Sequence, residues 1–479
     1  VVVTEQPTET VEADAIVEPD GETLVEAFAP LGLHRAAAEV ESLLEAGDFG
    51  AIDELLAVTH PADLALLLRV LPAEHWPQLI ERLDITRISD VMEELPDHLR
   101  DDLAEHLQTD QIADALEEMA SDDAADVIAD LPDDVAQDVI QALPREDRRE
   151  VETLLAYPED TAGGLMQMEL VSVPERATVD EVIDTIRAAR DEVGEVFFVY
   201  VVDDDGRLVG ILNLGALLLS STDRPIRDLM KTKIHAVNPD EDQERVARLF
   251  KRYDLVALPV VDADGVLLGR ILHDDVVDVL HEEADEDIMH IAGAAAGEPE
   301  LVYTDQLFRI AGVRLPWLLA TLAGLGVPVL LTRVFQITFP HMETLVPFIV
   351  LIGAMGGNVG SQSATIVVRG FATGRVDYRN LGHFLFKELV ISFLMGVACG
   401  LLSGIIALVW QGDTMLAATV GMSMTVAIVA SAILGVLVPF FFRLIRIDPA
   451  IAAGPAVTTI DDIVAIGIYY VVALLLIAG

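Results

Sequence analysis

Five stretches that exclude charge constrain this chain more than any other feature. Residues 315–332 lie between Arg314 and Arg333, 344–368 between Glu343 and Arg369, 389–412 between Glu388 and Asp413, and 414–442 between Asp413 and Arg443. A fifth stretch, 449–479, is interrupted only by Asp461 and Asp462. About 20 apolar residues in a helix cross a bilayer core of ~30 Å. A water-soluble helical core would need charged outer faces, and these stretches have none. Five transmembrane helices are therefore expected within 313–479, with the lipid bilayer as their solvent. Lys and Arg favour the cytoplasmic side of short flanks. Arg309, Arg314, Arg369, Arg375, Arg379, Lys387, Arg443 and Arg446 share one side, against Arg333 alone on the other. That places the N-terminal half in the cytoplasm and the C-terminus outside the plasma membrane.

The rest of the chain is its chemical opposite. The net charge of -50 comes from 80 Asp+Glu against 30 Lys+Arg, and residues 1–308 carry 73 of the acids. Phosphate binding needs a basic surface, so nucleic acid is not an expected partner. The single cysteine, Cys399, excludes a disulfide framework and a Cys-rich zinc site. No apolar run precedes residue 315, so no signal peptide is expected. Residues 1–30 read as a disordered acidic tail. Only four lysines occur, and self-repulsion at this charge opposes compaction unless salt or divalent cations screen it.

Two repeats organise the acidic half. Leu71, Leu83, Leu95, Leu107, Met119, Leu131, Leu143 and Leu155 recur every 12 residues, with Pro72, Pro96, Pro132 and Pro144 after four of them. Proline ends one helix and fits the first turn of the next. Each unit reads as a short helix and turn, and stacked pairs give an all-α superhelical domain over 31–158. The second repeat is Val201-Val202-Asp203-Asp204-Asp205-Gly206, which returns 59 residues later as Val260-Val261-Asp262-Ala263-Asp264-Gly265. Asp-x-Asp-Gly between β-rich runs is a hairpin turn. Matching strand and helix patterns lie upstream of each. An α/β unit of order β-α-β-β-α is thus used twice, over 159–224 and 225–287. This resembles a tandem cystathionine-β-synthase (CBS) pair.

Three constellations carry chemistry. Span two contains Gly356-Gly357-Asn358-Val359-Gly360-Ser361-Gln362-Ser363, whose small residues permit close helix approach and whose amides and hydroxyls suit interhelical bonds or a water-filled path. Span five contains Asp461 and Asp462. A carboxylate at mid-membrane costs ~3 kcal/mol and usually marks an ion pathway. No basic residue within a span neutralises this pair, so a mobile cation is the simplest partner, the alternative being an acid kept neutral for structure. Oxygen donors without clustered Cys or His suit hard cations, Mg²⁺ among them, although Ca²⁺ and Mn²⁺ share that chemistry. The third constellation is Asp274 to Asp287, where Asp275, Asp278 and Glu282 share a helix face. Asp110 and Asp114 form a similar pair in the helical repeats. Both read either as cation sites or as chance clustering in an acidic chain. No phosphate-loop sequence and no His-Glu-x-x-His motif is present, so neither an ATP-driven pump nor a zinc protease is supported, and no enzyme is expected.

The order of helical superhelix, CBS pair, linker helix and five spans, together with Gly356 to Thr365 and the acidic fifth span, resembles the MgtE-type magnesium channels over roughly 31–479. The resemblance implies a homodimer, with a pore along its two-fold axis lined by spans two and five. It assigns the pore carboxylate to Asp462, with Asp461 beside it, and the lining to Gly357, Asn358, Gly360, Ser361 and Gln362. Some relatives have Asn where Gly454 and Ser361 stand here. The cytosolic Mg²⁺-sensing acids carry over to Asp110, Asp114, Asp254, Asp275, Asp278, Glu283, Glu286 and Asp287. Residues 288–312 become the linking plug helix that transmits closure. Many CBS pairs bind an adenine nucleotide, and the resemblance implies one as a further ligand of this pair. Here Leu272 replaces the usual Ser/Thr three residues before Asp275. The readings carried forward are a Mg²⁺ channel closed by cytosolic Mg²⁺, a divalent exchanger coupled to H⁺ or Na⁺, and a non-transporting CBS sensor.

Overall fold

The computed structural model describes residues 30–104, 106–190, 193–194, 196–292, 307–338, 340–376 and 378–477. The acidic tail expected over 1–30 lies outside them except for Pro30. Two compact units divide after Leu280.

The first unit opens with ten helices: α1 (Pro30–Ala46), α2 (Phe49–Val58), α3 (Pro61–Val70), α4 (Trp76–Ile80), α5 (Ile85–Glu93), α6 (Asp97–Ala104), α7 (Thr109–Glu117), α8 (Ser121–Asp130), α9 (Asp133–Ala142) and α10 (Arg145–Leu154). Each twelve-residue repeat is one helix. In four of the repeats the recurring leucine is the C-cap: Leu71, Leu131, Leu143 and Leu155 end α3, α8, α9 and α10, and their N–H groups still bond back into the last turn. Leu71, Leu95, Leu131 and Leu143 turn into the core, whereas Leu155 is exposed at the end of the array. Helices pack on their second neighbours, α3 on α5, α5 on α7, α6 on α8, α7 on α9 and α8 on α10. Alternate helices therefore form the two layers of a superhelix.

Two α/β modules follow. The first is β1 (Ser172–Pro174), α11 (Val179–Ala188), β2 (Phe198–Val202), β3 (Leu208–Asn213) and α12 (Leu214–Leu218), with β1 parallel to β2 and β2 antiparallel to β3. The second is α13 (Gln243–Tyr253), β4 (Ala257–Val261), β5 (Leu267–Leu272) and the long α14 (His273–Ala292). Its expected leading strand shrinks to one parallel bridge between Val237 and Val260, because Pro259 in the partner strand has no N–H to extend the ladder. The hairpins are copies in detail. Asp203 accepts from the N–H groups of Asp205 and Arg207, and Asp262 from those of Asp264 and Val266. Gly206 and Gly265 close the turns at φ 81° and 84°, where a side chain would be strained. The modules also exchange segments: Gln167 pairs with Arg270 on β5, and Lys231 pairs with Ile211 on β3. One apolar core runs from Ala37 in α1 to Val279 in α14, joining the helical array to the second module, while the first module has its own core around Val199, Val201 and Leu212.

The second unit contains five helices long and apolar enough to cross a membrane among the described residues. They are α15 (Leu307–Thr338), α16 (Ile349–Ala372) with a 3₁₀ lead-in (Pro340–Phe348), α17 (Leu381–Gln411), α18 (Thr414–Leu444) and α19 (Val457–Ile477). α18 is the centre and packs on α16, α17 and α19. Small residues let it approach: Thr425 donates to the Gly396 carbonyl of α17 at 3.0 Å, and Gly421 meets Gly400 backbone to backbone. Span five is shorter than its uncharged stretch. Gly454 leaves helical geometry at φ −92°, ψ −123°, and Pro455 follows, so the membrane helix starts afresh at Val457. Of the plug segment expected at 288–312, residues 288–292 end α14 and 307–312 begin α15; 293–306 lie outside the described residues.

Candidate functional site: acids of the membrane core and of the N-terminal unit

The fifth span brings its carboxylates against the glycine face of α16. Pro455 lacks an N–H, and the hydroxyls of Thr458 and Thr459 fold back to the carbonyls of Gly454 and Pro455 at 3.3 and 2.7 Å. Both hydroxyls are thereby satisfied along the helix itself and do not reach toward neighbouring spans. The Tyr469 hydroxyl donates to the Leu345 carbonyl at 2.8 Å and fixes α19 to the lead-in of span two. Between these anchors, consecutive acids diverge. Asp461 is completely buried, and its carboxylate fills the space a side chain at Gly360 would need. The Ser431 hydroxyl of α18 lies beside it, and among the described residues neither carboxylate oxygen has a well-formed hydrogen bond. Asp462 is only half-buried and lies across Gly353 and Gly357.

The structure divides the polar run of span two. Gly357 and Gly360 face α19 and its acids. Asn358 and Gln362 are exposed on the opposite side of α16, with Ser361 partly exposed between the two faces. Ser363, one residue on, is buried and donates to Glu388 of α17 at 2.5 Å. Glu388 is thus, with Asp461, a second buried carboxylate of the membrane unit among the described residues. In the sequence it served only as the boundary of span three, and an acid followed by apolar residues gives no sign that it points inward.

The acids of the first unit are also redistributed. Asp110 and Asp114 are exposed on α7. The N-terminal acids that meet the second CBS-like module stand one repeat later, on α8: Asp122 and Asp123, with Asp126 one turn on beside Arg100 and Glu159. Burial, then Asp123 and Asp275, hold the carboxyl of Asp122 well above the usual range. Burial pushes Asp123 up to about 6, against the pull of Arg100, with Asp274, Glu169 and Asp278 adding to the rise. Burial raises Asp126 to about 8, and Glu93 on α5 to about 7, where Asp123 adds to it. Across from them Asp275 rises to about 7, again chiefly by burial, even though it accepts the Leu272 N–H at 3.0 Å. Arg100 is committed mainly to backbone, donating to the Leu95 carbonyl at 2.8 Å, and stands 3.6 Å from Asp130. Among the described residues no three carboxylates converge on one ready-made metal position.

The remaining predicted acids occupy other settings. Asp254 is exposed and caps α13 in the left-handed region at φ 50°. Glu283 and Asp287 are half-buried on α14. Glu286 is hydrogen-bonded to the buried His290 at 2.9 Å, which lowers the Glu286 pKa and raises that of His290. Next to His290, the Ile291 carbonyl lies against Gly454, where a Cβ would strike it. At the CBS pair, Leu272 is buried and offers no hydroxyl.

Comparison with known proteins matches the helical array, the CBS pair and spans two to five. The family described as "Divalent cation transporter" matches residues 349–472, the "MgtE intracellular N domain" matches 59–160, and CBS domains match 162–222 and 226–282. Magnesium transporter MgtE of Thermus thermophilus is 35% identical over 461 residues, which covers 92% of this chain and 98% of that one. The chain belongs to the MgtE family. Magnesium transporter MgtE of Bacillus subtilis is 30% identical over 422 residues, 88% of this chain and 92% of that one. Among solved structures, the cytosolic domain of the Mg²⁺ channel MgtE in complex with ATP is 36% identical, over 51% of this chain and 99% of that one, with a TM-score of 0.49. This MgtE chain is accordingly a multi-pass membrane protein of a magnesium-transporter family, not an enzyme.

Proposed function

We propose that this chain conducts Mg²⁺ passively across the plasma membrane past Asp462, and that cytosolic Mg²⁺ closes it. The observation that carries the reading is the contrast within span five. Asp462 is accessible beside a glycine face in a membrane unit that offers it no basic partner. Mg²⁺ gives up its water reluctantly. A half-exposed carboxylate over glycines suits contact with a hydrated ion, whereas the sealed Asp461 has no room for one. A second copy of the chain would place two such carboxylates around one path and would cover the exposed face of Asn358 and Gln362. The cytosolic half then faces inward and the C-terminus outward, as the flanking arginines require.

Closure follows from charge. With α8 docked on α14, carboxyls that have lost their water must take up protons or share a divalent cation. Mg²⁺ between the two helices favours the docked arrangement, and α14 carries the change toward the membrane unit. Driving a gate from 1:99 to 99:1 takes ~5.5 kcal/mol of differential binding, within reach of several weak sites together. An adenine nucleotide at the CBS pair would be a second ligand of this half, held without a hydroxyl from Leu272 and beside an Asp275 already engaged by the Leu272 N–H. Planar-bilayer recording under opposed Mg²⁺, H⁺ and Na⁺ gradients tests the channel reading. Currents reversing at the Mg²⁺ equilibrium potential support a channel. Flux that follows H⁺ or Na⁺ makes the protein an exchanger, and no flux from folded protein makes it a sensor.

A further inference from the structure

The acids of α8 are held in place by a contact that involves no cation. α8 begins after Ala120, whose side chain cannot cap a helix. Its cap comes instead from 48 residues further along the chain. Glu169 accepts the Ser121 N–H at 3.0 Å and the Ser121 hydroxyl at 2.9 Å. The Ser121 oxygen in turn accepts the Met168 N–H at 2.9 Å. Ser121 is buried, so this junction is shielded from competing water. The segment that carries Glu169 is clamped on its other side to β5, where the backbones of Gln167 and Arg270 exchange bonds of 2.8 and 3.0 Å and the Arg270 Nε donates to the Gln167 side chain at 3.0 Å. β5 runs directly into α14 and its acids Asp274, Asp275 and Asp278. One short segment therefore ties the first turn of α8, with Asp122 and Asp123, to the strand that launches the opposing acids. Yet Glu169 is itself an acid, and its charge adds to the crowding at Asp122, Asp123 and Glu150.

We propose that Glu169 is a positioning residue with two opposed actions. Its hydrogen bonds to Ser121 latch α8 onto the CBS pair without metal, and its charge sets how much Mg²⁺ is needed to complete closure. This inference rests on the proposed closure by cytosolic Mg²⁺. The latch supplies a register that a cation bridge between flexible carboxylates cannot, and the charge keeps the docked state from persisting when Mg²⁺ is low.

The two actions separate in the full-length protein in lipid nanodiscs. The readout is the Mg²⁺ midpoint, at constant ionic strength, of a distance measured between labels on α8's domain and on the first CBS module. Glu169→Gln keeps an oxygen for the Ser121 N–H and loses the charge, so its midpoint falls two- to five-fold below wild type. Glu169→Ala is equally neutral but has no cap. A helix cap is worth a factor of about five, so its midpoint stands two- to five-fold above that of Glu169→Gln. Ser121→Ala, which keeps the N–H and the charge, raises the midpoint above wild type. Equal midpoints for the Gln and Ala variants overturn the latch, and a Gln midpoint at or above wild type overturns the role of the charge. If wild type shows no Mg²⁺-dependent change of distance while its membrane flux persists, the closure reading itself fails, a result separate from either.

Discussion

Gly360 of α16 and Asp461 of α19 occupy complementary space: the acid's carboxylate stands where a side chain at 360 would be. The contact brings spans two and five together and turns the next residue, Asp462, toward Gly353 and Gly357. Replacing Gly360 by Ala should force the two helices apart. Overpacking of this kind typically costs about 1–3 kcal/mol. A lowered Tm of the purified protein in detergent, with Mg²⁺ flux reduced at least tenfold, is the expected outcome. Unchanged Tm and flux would show that the two helices meet differently.

Asp461 and Asp462 should separate in function. Asp461→Asn keeps the shape of a sealed side chain, removes a buried group without a good partner, and should leave flux within about threefold of wild type and Tm equal or higher. A loss of flux as large as that of an Asp462 variant would mean that both acids line the path. Reading Tm beside flux distinguishes this from misfolding.

Acidity and Mg²⁺ should substitute for one another in the N-terminal unit. The folded-state values of about 6 to about 8 at Asp123, Asp126, Asp275 and Glu93 lie above the ordinary carboxylate range near 4. Between these limits the native state binds more protons than the unfolded state, so stability falls as pH rises from about 4 to about 8 and levels off above. Below pH 4 both states are protonated and these groups contribute no slope. Without Mg²⁺, Tm should therefore be higher at pH 5.5 than at pH 8, and the gain from millimolar Mg²⁺ should be larger at pH 8. A Mg²⁺ gain that is the same at both values would separate these acids from cation binding.

Far more acids are present than such a sensor needs: 80 in all, against only 30 basic residues. If they are an adaptation to salt, molar KCl without Mg²⁺ should raise Tm strongly, because the Debye length falls to ~3 Å. A protein stabilised by millimolar Mg²⁺ and indifferent to KCl would assign the surplus to the cation sites instead.

The spans were legible because exclusion of charge over some twenty residues has no alternative explanation, and the CBS hairpins because Asp-x-Asp-Gly fixes its own turn. The choice between α7 and α8 was not legible, for a definite reason. Asp110 and Asp114 recur twelve residues later as Asp122 and Asp126, so the repeat gives both pairs the same local sequence logic. Consecutive helices lie in opposite layers, and only packing decides which helix brings its acids to α14, where Asp122 and Asp123 meet Asp274, Asp275 and Asp278. Gly357 to Gln362 is one polar run in the sequence, but a helix places residues one and two positions apart on different faces, so Asn358 and Gln362 part from Gly357 and Gly360. Glu388 escaped notice because its partner, Ser363, is 25 residues away on another helix.

Mg²⁺ entry into proteoliposomes, followed with an encapsulated dye and with the cytosolic side initially free of Mg²⁺, tests the central claim most directly. Wild type should conduct, Asp462→Ala should lose at least tenfold of the flux with its Tm and oligomeric state unchanged, and raising Mg²⁺ on the cytosolic side should shut wild type down. An Asp462→Ala protein that is folded and carries Mg²⁺ at the wild-type rate would contradict the account.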